Sequence, residues 1–293
     1  MRIGIIGGSG LGDELAKVGG REVLAIETPY GPPSAPLELT QWEGVEVVFL
    51  SRHGAGHTLS PSVVPYRANI WALKKAGVGA IIASGASGSL REDIEPGDLV
   101  LCDQVIDKTF RRAGTFFDDG VVAHVELAEP FCPSLRKLLM EAGKQVACQV
   151  HHAGTYVCME GPQFSTRAES HMHRQWGGDL IGMTCMPEAK LAREAEICYA
   201  MVALPTDYDC WRPADPGRGH AELLREILGN LNRAVHNALS LMRAAVTLMP
   251  QWSSPCGCAD ALQLAIWSNK ERIRPEIRER LGPIAGRYFS PGK

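Results

Sequence analysis

The sequence predicts a single α/β domain built on a central mixed β-sheet flanked by helices. Three observations carry this. Short apolar runs alternate with helix-period stretches along most of the chain. The runs are apolar at nearly every position, as in strands covered on both faces. With 45% hydrophobic and 22% charged residues among 293, the chain can bury a sizeable core.

Strands are expected over Arg2-Ile6, Val45-Leu50, Gly79-Ser84, Asp98-Cys102, Asp179-Met183 and Tyr199-Leu204. Helices are expected between them. Ser62 to Ala76 places Val63, Tyr66, Ile70, Leu73 and Ala76 on one face, and Phe131 to Lys144 carries Pro133 in its first turn. Thr166 and Glu169 make a capping box for a helix that reaches Trp176, and Pro187 opens another. The longest helix runs from about Gly219 to Val246, with Leu224, Ile227, Leu228, Leu231, Val235, Ala238 and Leu239 as its apolar stripe. No internal repeat or low-complexity linker interrupts the pattern. Composition changes only near Pro250 to Ala259, so residues 1–249 form the domain and 250–293 an extension packing on it or on a neighbouring subunit.

Charge and hydropathy exclude several classes. A formal charge of −3 and a pI near 6.3 offer no basic footprint for nucleic acid. No apolar run approaches the roughly 18 residues of a membrane span. The N-terminus reads as a buried strand entering a glycine turn, with Asp13 and Glu14 soon after, which is unlike a secretory leader. A cytoplasmic protein is expected.

Nine cysteines are many for this length. Cys102, Cys132, Cys148, Cys158, Cys185, Cys198 and Cys210 stand singly in apolar segments and read as buried thiols. Cys256-Gly257-Cys258 differs, lying in a turn that contains Pro and Ser. Zinc usually takes C-x-x-C plus a second ligand pair, and no histidine follows position 236, so no metal is expected. A redox-labile vicinal pair is the alternative to ordinary turn residues.

Four motifs carry chemistry. Thr206-Asp207-Tyr208-Asp209-Cys210-Trp211 closes the strand Tyr199-Leu204. In extended backbone, residues two apart face one side, so Asp207 and Asp209 bring two carboxylates together where open α/β sheets bind ligands. Close carboxylates push their pKa values apart, leaving one to hold a proton and the other to accept one. An adenine asks for that pair, since N7 becomes basic as its glycosidic bond breaks and its 6-amino group donates. A solvated acidic turn is the bland reading.

Gly7-Gly8-Ser9-Gly10 follows the first strand and can aim N–H groups and the Ser9 hydroxyl at an anion. It is neither a dinucleotide fingerprint, because Asp13 stands where the last glycine belongs, nor a P-loop, because no Gly-Lys-Ser/Thr follows. Ser51-Arg52-His53-Gly54 follows the next strand; Arg52 offers a planar fork for phosphate oxygens and His53 a further donor. Ser84-Gly85-Ala86-Ser87-Gly88-Ser89-Leu90 is a third small-residue turn at a strand end. Together the three suggest an oxyanion cradle.

On these motifs the chain resembles the 5'-methylthioadenosine phosphorylases, of the trimeric branch of the purine nucleoside phosphorylase superfamily. Further shared stretches are Thr28-Pro29-Tyr30-Gly31, the Ala68-Lys74 helix, Gly88-Ser89-Leu90-Arg91, Ala128-Glu129-Pro130-Phe131-Cys132-Pro133, Glu160-Gly161-Pro162-Gln163-Phe164 and Met183-Thr184. The likeness extends in register from residue 2 to about residue 248.

The resemblance implies a purine nucleoside phosphorylase-like fold and the reversible phosphorolysis of 5'-methylthioadenosine to adenine and 5-methylthioribose 1-phosphate. Inorganic phosphate is then a co-substrate, no cofactor or metal is needed, and the protein is a homo-oligomer, a trimer. It implies phosphate binding by Ser9, Arg52, His53, Gly85, Ala86 and Thr184, with Met183 along the ribose and Phe164 and Ser165 against the base. Asp207 and Asp209 would read the adenine edge, Asp207 as proton donor to N7. His124 resembles a residue lent to the 5' side of a neighbouring subunit's site. Gly85 stands where the family often has a hydroxyl, which leaves backbone contact, aided by Ser84 or Ser87. The breadth of 5' groups accepted, including 5'-deoxyadenosine, stays open. A 6-oxopurine or methylthioinosine phosphorylase must face a carbonyl that two carboxylates would repel, and a nucleosidase using water would not need the anion turns.

Overall fold

The computed structural model describes residues 1–8, 11, 20–212, 219–253 and 256–289. Among the described residues, eleven strands form one mixed sheet. β1 (Arg2–Gly7) lies between β4 (Val45–Ser51) and β5 (Val78–Ser89), parallel to both. Beyond β4, β3 (Leu37–Trp42) and β2 (Glu22–Leu24) add antiparallel.

The sheet forks at β5. On one branch β11 (Cys198–Asp207) runs parallel to β5, from Cys198 opposite Ala80 to Asp207 opposite Gly88. β6 (Leu99–Leu101) pairs antiparallel with β11, and β8 (Val150–His151) follows β6 in parallel. On the other branch the last residues of β5 pair antiparallel with β10 (Leu180–Gly182), and β9 (Thr155–Cys158) and β7 (Gln104–Asp107) complete it. Where the branches part, side chains from both converge.

Alternation along the strands feeds two cores, one on each face. Ile81, Ala83, Tyr199 and Met201 enter the first core, with α1 (Tyr66–Lys75), α4 (Cys185–Glu194) and the C-terminal extension. Ala80, Ile82, Ala200 and Val202 enter the second, with α2 (Pro133–Gly143) and α5 (His220–Leu248). The extension adds α6 (Pro275–Arg280) and α7 (Gly282–Phe289), whose Ile277, Ile284 and Phe289 are buried in the first core. Trp71 Nε1 donates to the Arg280 carbonyl at 3.0 Å and fastens the extension to α1.

Several expectations are revised. Ser84-Leu90 is not a turn after a strand: β5 continues through Ser89, because its small residues let two neighbouring branches approach. The helix expected from Ser62 begins at Tyr66. Pro65 supplies no N–H and holds Val64 extended, so Pro61–Val63 forms a separate 3-10 turn. α4 starts at Cys185, but Met186 is non-helical and regular geometry begins at Pro187. Along α5 the apolar stripe is buried only in its second half, where Ala234, Val235 and Ala238 pack; Leu224 and Leu228 are exposed. The capping box of α3 (Arg167–Gln175) is present, with Thr166 and Glu169 satisfying each other's backbone N–H groups. Cys132 and Cys198, read as isolated thiols, lie beside Cys256 and Cys258.

Candidate active site

A cavity of about 700 Å³ opens where the sheet forks, and Arg52, His53, Gly85, Ala86, Phe164, Ser165, Met183, Thr184, Asp207 and Asp209 all line it. Ser9 lies outside the described residues, although Gly8 beside it also lines the cavity. His124 does not line it. It packs edge-on against Trp267 of the extension, ring centroids 4.7 Å apart, and its N–H donates to the Ala265 carbonyl.

The carboxylate end is built by a turn rather than by strand alternation. β11 stops at Asp207, and Asp209 has a left-handed φ of 50°. The reversal brings the Asp209 N–H to Asp207 Oδ1 at 2.8 Å, while Thr206 Oγ1 donates to Asp207 Oδ2 at 2.7 Å. Burial nevertheless raises the Asp207 pKa, and the nearby Asp209 charge pushes the same way against those two donors. Asp209 Oδ2 is buried and has no protein partner, a position that water or a ligand must serve. Gly88 makes room: a Cβ there would lie 3.1 Å from Asp209 Cβ and 3.2 Å from Asp207 Oδ1.

At the anion end Arg52 is fully buried and does not offer its whole fork. Nε and Nη2 donate to the two oxygens of Glu188, both at 2.8 Å, and Nη1 donates to the Ser84 carbonyl at 2.7 Å. Of five N–H groups, the remaining one on each terminal nitrogen is left for a ligand. Burial opposes the guanidinium charge, but Glu188 more than restores it, so the net shift is upward. Tyr199 Oη also donates to Glu188, which fixes the pair from behind.

His53 differs from expectation. Its Nδ1 lies 2.8 Å from the Leu59 carbonyl, which can only accept, so Nδ1 carries the proton. Burial, then Arg52, lowers its pKa to about 4, so the ring is neutral near pH 7 and Nε2 is an acceptor rather than a donor.

Gly85 lies against Thr184, whose Oγ1 would be 3.2 Å from a Cβ at that position. Thr184 is the N-cap of α4, but its side chain caps nothing. Ser87 Oγ is buried in the cavity wall with no partner. Met183 is held by Arg112, which donates to the carbonyls of Met183, Met186 and Glu160 and pairs with the Glu160 carboxylate. Phe164, 85% exposed, stands on the rim.

Glu188, Arg112 and Tyr199 were not foreseen from the sequence, whereas Ser87, named as an aid to Gly85, presents its unpartnered hydroxyl in the cavity wall. No local signal marked Glu188 or Arg112, because Arg112 follows Arg111 and Glu188 stands two residues before Lys190, so each reads as one charge among several.

The chain matches the sequence profile described as "Phosphorylase superfamily" over residues 2–247. It is 48% identical to an S-methyl-5'-thioadenosine phosphorylase of Geobacter sulfurreducens, over 98% of both chains. It is also 48% identical to one from Pyrococcus horikoshii, over 89% of this chain and 98% of the other. Among solved structures, a methylthioadenosine phosphorylase from an antarctic soil metagenomic library superposes with a TM-score of 0.88 at 47% identity, over 96% of this chain and 98% of the other. That of Schistosoma mansoni in complex with tubercidin gives 0.81 at 36% identity, over 90% of this chain and 96% of the other. With the fork, the carboxylate pair and the arginine cradle in place, the chain belongs to the phosphorylase superfamily, in its family of S-methyl-5'-thioadenosine phosphorylases.

Proposed function

We propose that the protein catalyses the reversible phosphorolysis of 5'-methylthioadenosine to adenine and 5-methylthioribose 1-phosphate. The observation that carries this is the placement of an anion cradle and a proton-holding carboxylate in one cavity. Gly85 and Gly88, which mark the two ends, are three residues apart on β5. At roughly 3.3 Å per residue that is about 10 Å, the scale of a nucleoside laid along the strand with phosphate beneath C1'.

Phosphate is held by the outward N–H groups of Arg52, the Thr184 hydroxyl, the backbone at Gly85 and Ala86, and Ser9. His53 accepts from a P–OH through Nε2. Met183 lies along the ribose, and Phe164 and Ser165 meet the base. A phosphate oxygen bonds to C1' as the C1'–N9 bond breaks, and the bonding pair passes into the purine. Asp207 gives its proton to N7, so adenine leaves neutral, while Asp209 accepts from the 6-amino group. The sugar is oxocarbenium-like at the crossing, and the phosphate anion beneath it is positioned to stabilise that charge. No metal or organic cofactor takes part in this chemistry. The working unit is a trimer in which His124 serves a neighbouring site, and the enzyme acts in the cytoplasm.

Asp207→Asn tests the acid assignment. The amide cannot deliver a proton, so turnover of methylthioadenosine should fall by roughly 10²–10⁴-fold, and methylthioinosine should gain relative to it because the amide can donate to O6. Cleavage of methylthioadenosine at near the wild-type rate would remove Asp207 from that role.

A further inference from the structure

We propose that Cys132, Cys198, Cys256 and Cys258 form a tetrahedral thiolate site for a structural zinc ion, remote from the cavity. The four sulfurs all lie within 4.8 Å of one another. Cys256 Sγ is 3.5 Å from both Cys132 Sγ and Cys198 Sγ. A disulfide would bring two sulfurs to about 2.05 Å. A zinc ion with Zn–S bonds of about 2.3 Å sets the edges of its tetrahedron near 3.8 Å. The observed spacing belongs to the second arrangement, with every sulfur near the other three.

The setting suits a closed site. Cys132, Cys198 and Cys258 are at most 5% exposed. Cys132 is the N-cap of α2, and its sulfur accepts from the Leu135 N–H at 3.4 Å, a backbone donor of the kind that stabilises a thiolate. Four thiolates around one Zn²⁺ release up to four protons and leave a net charge of −2. Four sulfur ligands leave no open position, so the ion would be structural.

Local spacing concealed the set. The expected second ligand pair comes from residues that lie 66 positions apart in the chain, Cys132 and Cys198, and not from a neighbouring motif. The site joins three segments: the start of α2, the start of β11 and the extension. The Cys132 N–H also donates to the Tyr199 carbonyl at 2.8 Å, so the first two are already fastened together. The ion would anchor the extension to them.

The full-length protein, produced in zinc-containing medium and purified without chelator or added reductant, is analysed by native mass spectrometry and elemental analysis. One zinc per protomer is expected, with all nine thiols titrating once the protein is unfolded in a chelator. Cys258→Ser should lose the zinc, and its Tm should fall on the order of 10 °C. Should that variant fail to fold, cobalt substitution of the wild type gives a second reading, the absorption of a tetrahedral cobalt–thiolate centre. Metal-free protein that is two mass units lighter per cysteine pair would show disulfides and overturn the proposal. So would metal-free protein with nine reduced thiols, or iron in place of zinc.

Discussion

To protonate N7 as proposed, Asp207 must keep a proton that an ordinary aspartate surrenders well below neutral pH. Its raised pKa extends the protonated form upward, so activity on methylthioadenosine should hold on the acid side and fall as pH rises through that value. Asp207→Asn should abolish this alkaline limb in whatever activity remains. His53 has the opposite sign for stability. Folded, it titrates at about 4 because of burial and Arg52; unfolded, at about 6.5. Its contribution is therefore complete above the unfolded value and is lost as pH falls through the folded one. Glu194 works against it. Burial raises that carboxyl from 4.5 to about 7, although the Phe116 N–H and the Thr115 hydroxyl bind it, so its contribution falls as pH rises across that window. The two partly cancel between about pH 4.5 and 6.5. Glu194→Gln, whose amide oxygen can accept from the Phe116 N–H while its NH2 donates to the Thr115 hydroxyl, should make Tm climb with pH by several degrees more than wild type there. Parallel Tm-versus-pH curves would contradict it.

At the scale of elements, the site depends on where strands and helices stop. β11 ends at Asp207 and a left-handed Asp209 turns the chain back. α4 delivers Glu188 to a guanidinium arriving from the end of β4. Removing Glu188 strands a buried charge, so Glu188→Ala should cost about 3–5 kcal/mol of stability, read by denaturant unfolding. It should also raise the KM for phosphate, because Arg52 would lose its anchor. Much of this was legible beforehand. The runs that became β1, β4, β10 and β11 are apolar at nearly every position, and the Thr166/Glu169 box named its helix start. β3 was missed because only near-continuous apolar runs read as strands, and Leu37–Trp42 at the flank of the sheet is half polar. β9 was missed because four residues give too short a pattern. Asp207, Asp209, Ser9, Arg52 and His53 could be named because each stands at a motif that chemistry makes unusual, whereas Met183, Thr184, Phe164, Ser165 and His124 came only from the family resemblance. The mutual supports could not be named, because Arg52 and Glu188 are 136 positions apart and nothing local joins them.

Across the whole molecule, the extension completes one core and carries apolar surface outward. Leu264 is 88% exposed and Trp267 75%, and Trp267 packs on His124. If this edge meets a neighbouring subunit, sedimentation should give a trimer and Trp267→Asp should weaken it while Asp207 chemistry within each protomer keeps its pH limb. A fully active wild-type monomer would exclude the role given to His124. Among the described residues, no helix is long and apolar enough to cross a membrane.

In the proposed reaction the cavity brings phosphate, and not water, to C1' of a purine nucleoside. Initial rates of adenine release from methylthioadenosine, measured with and without inorganic phosphate, test it most directly when the sugar product is followed by phosphorus NMR. Release should saturate with phosphate, with one 5-methylthioribose 1-phosphate formed per adenine, and an Arg52→Ala variant should need far more phosphate for the same rate. Adenine release at an equal rate without phosphate, yielding free methylthioribose, would contradict it.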